Sequence, residues 1–189
     1  MTADILTVII LTRDEEKNLR KCLESIRPAA ERVVVVDSLS SDCTVEIAKS
    51  MGATILQRAW THHADQFNWG MDTAGIDTPW TMRIDADEEM TPSLARALPE
   101  FLRGLGADVS GVHVRRRVYF MDKWIRHGGF YPTWLLRVWR TGVGRCEARL
   151  MDEHVVLAAG RSVRLYEDII DRNNKDLTFW IGKHNTYAT

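Results

Sequence analysis

Cysteine is scarce in this chain. The three residues, Cys22, Cys43 and Cys146, are odd in number and far apart, so they build neither a disulfide framework nor a closely spaced zinc pair and are expected to be buried free thiols. Proline (5) and glycine (12) are too few for a collagen-like or low-complexity chain. Neither sign of charge is in excess: 25 Lys plus Arg against 26 Asp plus Glu leave a formal charge of −1. A chain-wide basic field for gripping nucleic acid is missing, and no nucleic-acid partner is expected. Long hydrophobic runs are missing too. The apolar stretch near the start, residues 5–11, is too short to span a membrane, and no basic segment precedes it. A signal peptide is not expected, which places the chain in the cytoplasm. What is present, 45% hydrophobic and 27% charged residues in 21.6 kDa, is the composition of a globular protein with room for one domain over residues 1–189.

Residues 5–11 (ILTVIIL) and 32–37 (RVVVVD) are continuous apolar runs, as expected for strands covered on both faces. Between them, Leu19, Cys22, Leu23 and Ile26 recur at helical spacing, which predicts a helix over EEKNLRKCLESI (15–26) that ends before Pro28. Thr12 and Glu15 have the spacing of a capping box at its start. A short helix around Val45–Met51, a strand over 53–57, a helix around 64–74 and a strand over 79–85 continue the alternation. Such alternation predicts an α/β fold with a mainly parallel sheet and right-handed crossovers. After Pro99 the pattern changes. GVHVRRRVYF (111–120) and WLLRVWR (134–140) read as antiparallel or mixed strands, and LTFWIGKHN (177–185) as a last helix. Residues 1–98 form the half expected to bind a nucleotide, and 99–189 the half expected to meet a second substrate.

Asp85-Ala86-Asp87-Glu88 stands at the carboxyl end of the fourth strand, where open α/β sheets bind ligands. Two carboxylates at i, i+2 across a sharp turn can converge on one hard cation, Mg²⁺ or Mn²⁺, whose other positions take water and phosphate oxygens. The alternative is a solvated acidic turn that caps the helix starting near Thr91. Asp37 closes the second strand and is either a helix cap or a carboxylate that accepts from a base or ribose. Thr12, Arg13, Asp14 and Glu15 follow the first strand and should line the same edge. Neither turn carries a glycine-rich phosphate loop, which argues against dinucleotide-binding and P-loop folds.

Met151-Asp152-Glu153-His154 offers a general base, a metal ligand or a surface turn. His62 and His63 are adjacent, face different ways and do not make a paired metal site. Arg115, Arg116 and Arg117 split between the faces of a strand. With Arg126, His127, Arg137 and Arg140 they could meet a diphosphate or an anionic acceptor, or form a solvated face. Of the seven tryptophans, Trp124, Trp134, Trp139 and Trp180 lie in the second half, as core or as a platform for sugar or lipid.

The order TVIILTRDEEKNLRKCLESI, VVVVDSLSSDCT, DQFNWGMD, WTMRIDADE resembles the family 2 glycosyltransferases of the GT-A fold, with a looser continuation through RLMDEHV to KHNTYA. The subgroup it is most similar to builds lipopolysaccharide core or exopolysaccharide in bacteria. The resemblance implies inverting transfer of a sugar from a nucleotide donor, such as a UDP-sugar, to a glycan or glycolipid acceptor, with a divalent cation on the diphosphate. It implies that Thr12 and Glu15 sit by the nucleoside, Asp37 accepts from the base, and Asn68 lies along the donor. Asp85 would stand near ribose and metal, and Asp87 on the metal. Glu153 takes the position of the base, with Asp152 as runner-up.

The chain departs from the family at Arg13-Asp14, where an aromatic or Asn is usual, and at Phe67, where an Arg is usual. It also ends at KHNTYAT, where relatives continue; the segment from Leu177 reads as the start of a helix facing acceptor or membrane, which implies peripheral association at the inner face of the cytoplasmic membrane. Three other readings compete. A DxD phosphatase would carry its nucleophile after the first strand, and a nucleotidyltransferase would carry a glycine- and basic-rich first loop. A non-catalytic nucleotide-sugar-binding module would bind donor without turnover.

Overall fold

The computed structural model describes residues 5–147 and 154–175, together with 177, 178, 181, 182 and 185. Strands β1 (Leu6–Thr12), β2 (Arg32–Asp37), β3 (Thr54–Gln57) and β4 (Trp80–Arg83) alternate with helices α1 (Leu19–Ile26), α2 (Thr44–Ser50) and α3 (His63–Thr73). A short strand, β5 (Glu88–Met90), leads into α4 (Pro92–Arg103). Beyond it come β6 (Val109–Phe120), β7 (Lys123–Trp124), β8 (Thr133–Arg140), β9 (Gly144–Cys146), β10 (Val155–Leu157) and β11 (Arg161–Asp171).

The main sheet runs β3-β2-β1-β4-β8-β6-β11-β5, with β7 added to β6 as a hairpin, while β9 and β10 form a separate pair. Its first four strands are mutually parallel. From β8 onward the pairing is mixed: β8 is antiparallel to β4 and β6, β11 is parallel to β6, and β5 is antiparallel to β11. The parallel half with a mixed second half is the α/β arrangement that the alternation predicts. Both faces of β1 are covered. Leu6, Val8 and Ile10 pack in the core with α1 and α4, and Ile9 packs in a second core with Phe67 of α3 and Trp139. Helix α3 lies so close to β2 that a Cβ on Gly70 would fall 2.5 Å from Val36.

Several local expectations are corrected. Helix α1 begins at Leu19, not Glu15, and its first-turn N–H groups take no side-chain cap. Thr12 gives its hydroxyl to Asp37 across the sheet edge instead of capping α1. The fourth strand ends at Arg83, before the acidic turn. That turn does not cap α4, because β5 intervenes and Thr91 itself accepts from Leu94 N–H at 3.2 Å. Cys22 and Cys146 are buried, but Cys43 is exposed. Of the last helix read from the sequence, Leu177, Thr178, Ile181, Gly182 and Asn185 are described and helical; Phe179 and Trp180 lie outside the described residues.

Candidate active site

The loops after β1 and β2 are laced together at the carboxyl edge of the sheet. The backbone N–H groups of Asp14, Glu15 and Glu16 donate to Ser40, Thr44 and Asp42, and the Asp14 carboxylate accepts from Ser41 N–H. This cross-tying holds Asp14 at a positive φ of 54° and turns Thr12, Arg13 and Glu15 into a crevice of about 940 Å³. The crevice lies where the parallel strands end, the ligand position of open α/β sheets. Its other walls come from Trp60–His63, Arg83, Asp85–Asp87, His113 and Arg116, Trp134–Arg137, and His154 and Val155.

Asp85 is half-buried and faces this space. It takes Arg83 Nε at 3.1 Å on one oxygen and the Arg137 guanidinium at 3.1 Å on the other. Burial alone would raise its carboxyl, but Arg83 and Arg137 outweigh it and hold Asp85 well below the usual carboxylate range. Arg137 is buried and also meets Glu88 at 2.5 Å. It reaches them because the β8–β6 register jumps from Val138↔Val112 to Leu136↔His113, which leaves Arg137 unpaired in a β-bulge. Glu88 is pushed up to about 8 by burial and by the charges of Asp85 and Asp171, against the pull of Arg137. Asp171 is pushed up to about 6 by burial, then Asp87 and Asp85, with Arg116 and Arg137 opposing. The site thus crowds four carboxylates around Arg137, with Arg83 and Arg116 beside it.

The stretch 172–175 straps this site shut from the far side. Arg172 N–H donates to the Asp87 carbonyl at 2.9 Å, and Asn173 donates to the Asp87 carboxylate at 3.0 Å. Asn174 bonds Asn18, while Lys175 reaches Glu15 at 2.6 Å. Burial raises the Glu15 carboxyl against the hydrogen bonds of Lys175 and Asn18. The first loop and the acidic turn are therefore held by one segment, which no motif in the sequence singles out.

Thr12, Glu15, Asp85 and Asp87 come together in the crevice. Asp37 sits one layer behind, fully buried, and all its acceptor positions are used: Thr12 and Ser40 hydroxyls on one oxygen, Ser40 N–H and Gln57 on the other. A base reaching Asp37 must displace one of these donors. Asn68 does not line the crevice. Its amide bonds the Cys146 backbone in both directions, at 2.8 and 3.0 Å, and so ties α3 to β9. Asp152 and Glu153 lie outside the described residues. Arg83, Asn173 and Lys175 are polar groups that sequence reasoning did not place here, and Arg137, read from the sequence as a possible partner of a diphosphate or an anionic acceptor, instead pairs with Asp85 and Glu88; only the register shift at Val112/His113 and the burial of Arg137–Trp139, both visible in the structure, give the bulge away.

Among the described residues no group of three or more His, Cys, Asp and Glu is placed to hold a metal. Asp85 and Asp87 nonetheless offer hard oxygen donors beside open space, and a carboxylate has lone pairs to spare beyond two hydrogen bonds. That donor pair fits a hexacoordinate cation completed by water and phosphate oxygens.

The glycosyl transferase family 2 model matches residues 7–170. LpsC of Rhizobium meliloti, a lipopolysaccharide core biosynthesis glycosyltransferase, is 31% identical over 145 residues, covering 74% of this chain and 52% of that protein. The chain spans about a third to a half of the length of such curated relatives. S. aureus TarS 1-349, solved in complex with UDP, superposes with a TM-score of 0.59 at 14% identity, covering 85% of this chain and 60% of that one. Glucosyl-3-phosphoglycerate synthase from Mycobacterium tuberculosis, solved with Mn²⁺, UDP and glucosyl-3-phosphoglycerate, gives 0.50 at 20% identity over 60% and 44% of the two chains. The fold is thus of the GT-A type, and with the family model matched over residues 7–170 the chain belongs to glycosyl transferase family 2.

Proposed function

We propose that the chain transfers a sugar, with inversion, from a nucleotide-diphosphate donor of the UDP-sugar type to an acceptor hydroxyl in cell-surface polysaccharide or lipopolysaccharide synthesis. The observation that carries this reading is the convergence of Thr12 and Glu15 from the first loop with Asp85 and Asp87 from the acidic turn in one crevice. The nucleoside lies against the first loop and Ser38, and the diphosphate lies toward Asp85, Asp87 and Arg83. A divalent cation held by Asp85 and Asp87, when bound, neutralises charge developing on the departing diphosphate.

Transfer forms a bond between the acceptor oxygen and the anomeric carbon as the bond to the diphosphate oxygen breaks, and the acceptor proton passes to a carboxylate. Glu153 is that base in this reading, with Asp152 as runner-up. Support comes from the next described residues, His154 and Val155, which line the crevice. Holding donor and acceptor in line supplies much of the remaining acceleration. No helix among the described residues is long and apolar enough to cross a membrane. The exposed Leu177 and Ile181 support peripheral contact with the membrane that carries the acceptor.

Calorimetry of UDP-glucose and related donors with Mn²⁺, with Mg²⁺ and with a chelator tests this reading. Tighter binding with the cation, together with slow donor hydrolysis, is expected. Equal affinity with chelator removes the cation, and no binding of any nucleotide sugar removes the reading.

A further inference from the structure

We propose that the outward face of β6, β8 and β11 is a binding site for an anionic saccharide, one bearing carboxylate or phosphate groups, contiguous with the donor crevice. In taking that saccharide to be the acceptor, the proposal rests on the transfer reading above; the binding itself does not require it.

The face is an unbroken chain of guanidinium groups and rings. Arg164 lies 4.9 Å from the centre of the Trp134 ring, and Trp134 meets Tyr166 edge-on at 5.1 Å. Arg115 stands 5.7–5.9 Å from the rings of Tyr131, Trp134 and Tyr166. Tyr131 meets Trp124 edge-on at 5.1 Å, and Trp124 carries Arg117 at 4.8 Å and Arg126 at 4.5 Å. Trp134, which joins Arg164, Tyr166 and Arg115, is itself a wall of the crevice. The register between β11 and β6 explains the outward presentation of Tyr166. Arg164 pairs with His113 and Asp168 with Arg115, so three residues of β11 oppose Val114 alone. The extra length turns Tyr166 out, 66% exposed, and leaves Asp168 buried.

Charge decides what such a face takes. Asp168 is shared by Arg115, 3.0 Å away, and Arg117, at 2.5 Å, and also accepts from Tyr131 at 2.9 Å. Glu167 is occupied by the Ser93 hydroxyl. Arg126 and Arg164 are exposed and have no carboxylate at ion-pair distance among the described residues. Four guanidiniums against the buried Asp168 and the Glu167 carboxylate turned to Ser93 leave this face net positive on a chain whose formal charge is −1. Arg115 and Arg117 are engaged by Asp168, but the exposed Arg126 and Arg164 lie on their rings with N–H edges that can meet carboxylate or phosphate oxygens. The C–H face of a sugar suits the exposed Tyr166 ring, which is amphipathic. Rings interleaved with arginines would also suit a lipid interface, so anionic vesicles are the competing arm of the test.

Trigalacturonic acid, with its three carboxylates, and neutral maltotriose are the probes, measured by calorimetry against the wild-type chain, the double variant Arg126→Gln/Arg164→Gln and Tyr166→Ala. None of these changes removes a buried ion pair, and circular dichroism confirms folding. Trigalacturonate should bind the wild-type chain at least about tenfold more tightly than maltotriose, and more weakly in high salt. Both variants should lose that affinity while UDP affinity stays unchanged. Equal binding of the two trisaccharides, unchanged binding in the variants, or no binding of trigalacturonate overturns the proposal. So does capture by phosphatidylglycerol vesicles in place of the saccharide. A failure of UDP to bind would instead sink the transfer reading and leave this one standing.

Discussion

Arg137 donates to Glu88 at 2.5 Å, and the same terminal nitrogen stands 3.1 Å from Asp85. One buried cation thereby holds the acidic turn to the floor of the sheet; burial opposes its charge, but the two carboxylates outweigh burial and keep the guanidinium charged.

Removing that cation leaves Glu88 buried with the Asp85 N–H as its donor but with no cation beside it. Arg137→Leu should therefore cost about 3–5 kcal/mol in urea unfolding, the usual penalty for breaking a buried ion pair from one side. Arg137→Lys keeps the charge but not the planar fork, so its cost should be smaller and not zero. A loss below about 1 kcal/mol for the leucine variant would show that the bulge is held by other contacts.

Asp37 is the second buried acid whose neighbours define it. Burial would raise its carboxyl, yet donors from Ser40, Gln57 and Thr12 bring it below the usual range. A carboxyl lowered in the fold adds stability that is present above its unfolded value and is lost as pH falls through the folded one. Asp37→Ala strands those donors and should cost about 1–3 kcal/mol at pH 7. That cost should shrink in acid. If the nucleoside lies against Thr12 and Ser38, as proposed, the variant should also weaken UDP binding, with or without Mn²⁺. Unaltered UDP affinity would restrict Asp37 to the fold.

Asp171 behaves oppositely. Its carboxyl is raised from 3.8 to about 6, so protonation favours the fold, and the benefit is lost as pH rises through about 6. Asp171→Asn imitates the protonated form. It should match the wild-type melting temperature near pH 4 and exceed it at pH 8, by at most about 3 kcal/mol in stability. A bound cation at Asp85 and Asp87 should shrink that gain. Identical pH–stability curves for the two proteins would show that Arg116, 3.7 Å away, already balances the charge.

If Asp87 holds the cation, Asp87→Ala should abolish the effect of Mn²⁺ on donor affinity while leaving binding in chelator nearly unchanged. Electron paramagnetic resonance of Mn²⁺ with UDP reads the loss directly. Because Asn173 orients Asp87 through a 3.0 Å bond, Asn173→Ala should weaken Mn²⁺ several-fold without abolishing it. Retention of full Mn²⁺ affinity in the Asp87 variant would move the site elsewhere.

The parallel half was legible because each of its strands is an apolar run closed by a polar turn, and each helix carries its own spacing. Thr12, Glu15, Asp85 and Asp87 follow from that frame, since residues after parallel strands share one edge. The partners of those residues were not legible. Arg137 reaches Asp85 only through a bulge, and a one-residue irregularity leaves no trace in apolar alternation. Asn174 and Lys175 meet the first loop and the start of α1 across more than 150 positions of chain, a contact set by β11 running parallel to β6. Asn68 shows the converse. Motif position suggested a donor contact, while its side chain ties α3 to β9.

The base is the last role to test. Three carboxylates among the described residues line the crevice: Glu15, Asp85 and Asp87. Lys175 and Asn18 hold Glu15, two arginines hold Asp85, and a cation would draw electron density from both Asp85 and Asp87. An acceptor of the hydroxyl proton must be ionised and within hydrogen-bond reach, which none of these offers at the acceptor side. Glu153 and Asp152 immediately precede His154, which lines the crevice. Should the two lie on an extended segment, their side chains point to opposite faces and only one of them serves. Glu153→Gln should keep donor affinity within a few-fold and lower transfer by roughly 10²–10⁴, the usual share of general-base catalysis, while Asp152→Asn costs much less. Reversed effects would move the role to Asp152, and two mild ones would leave RLMDEHV a structural turn with the base elsewhere.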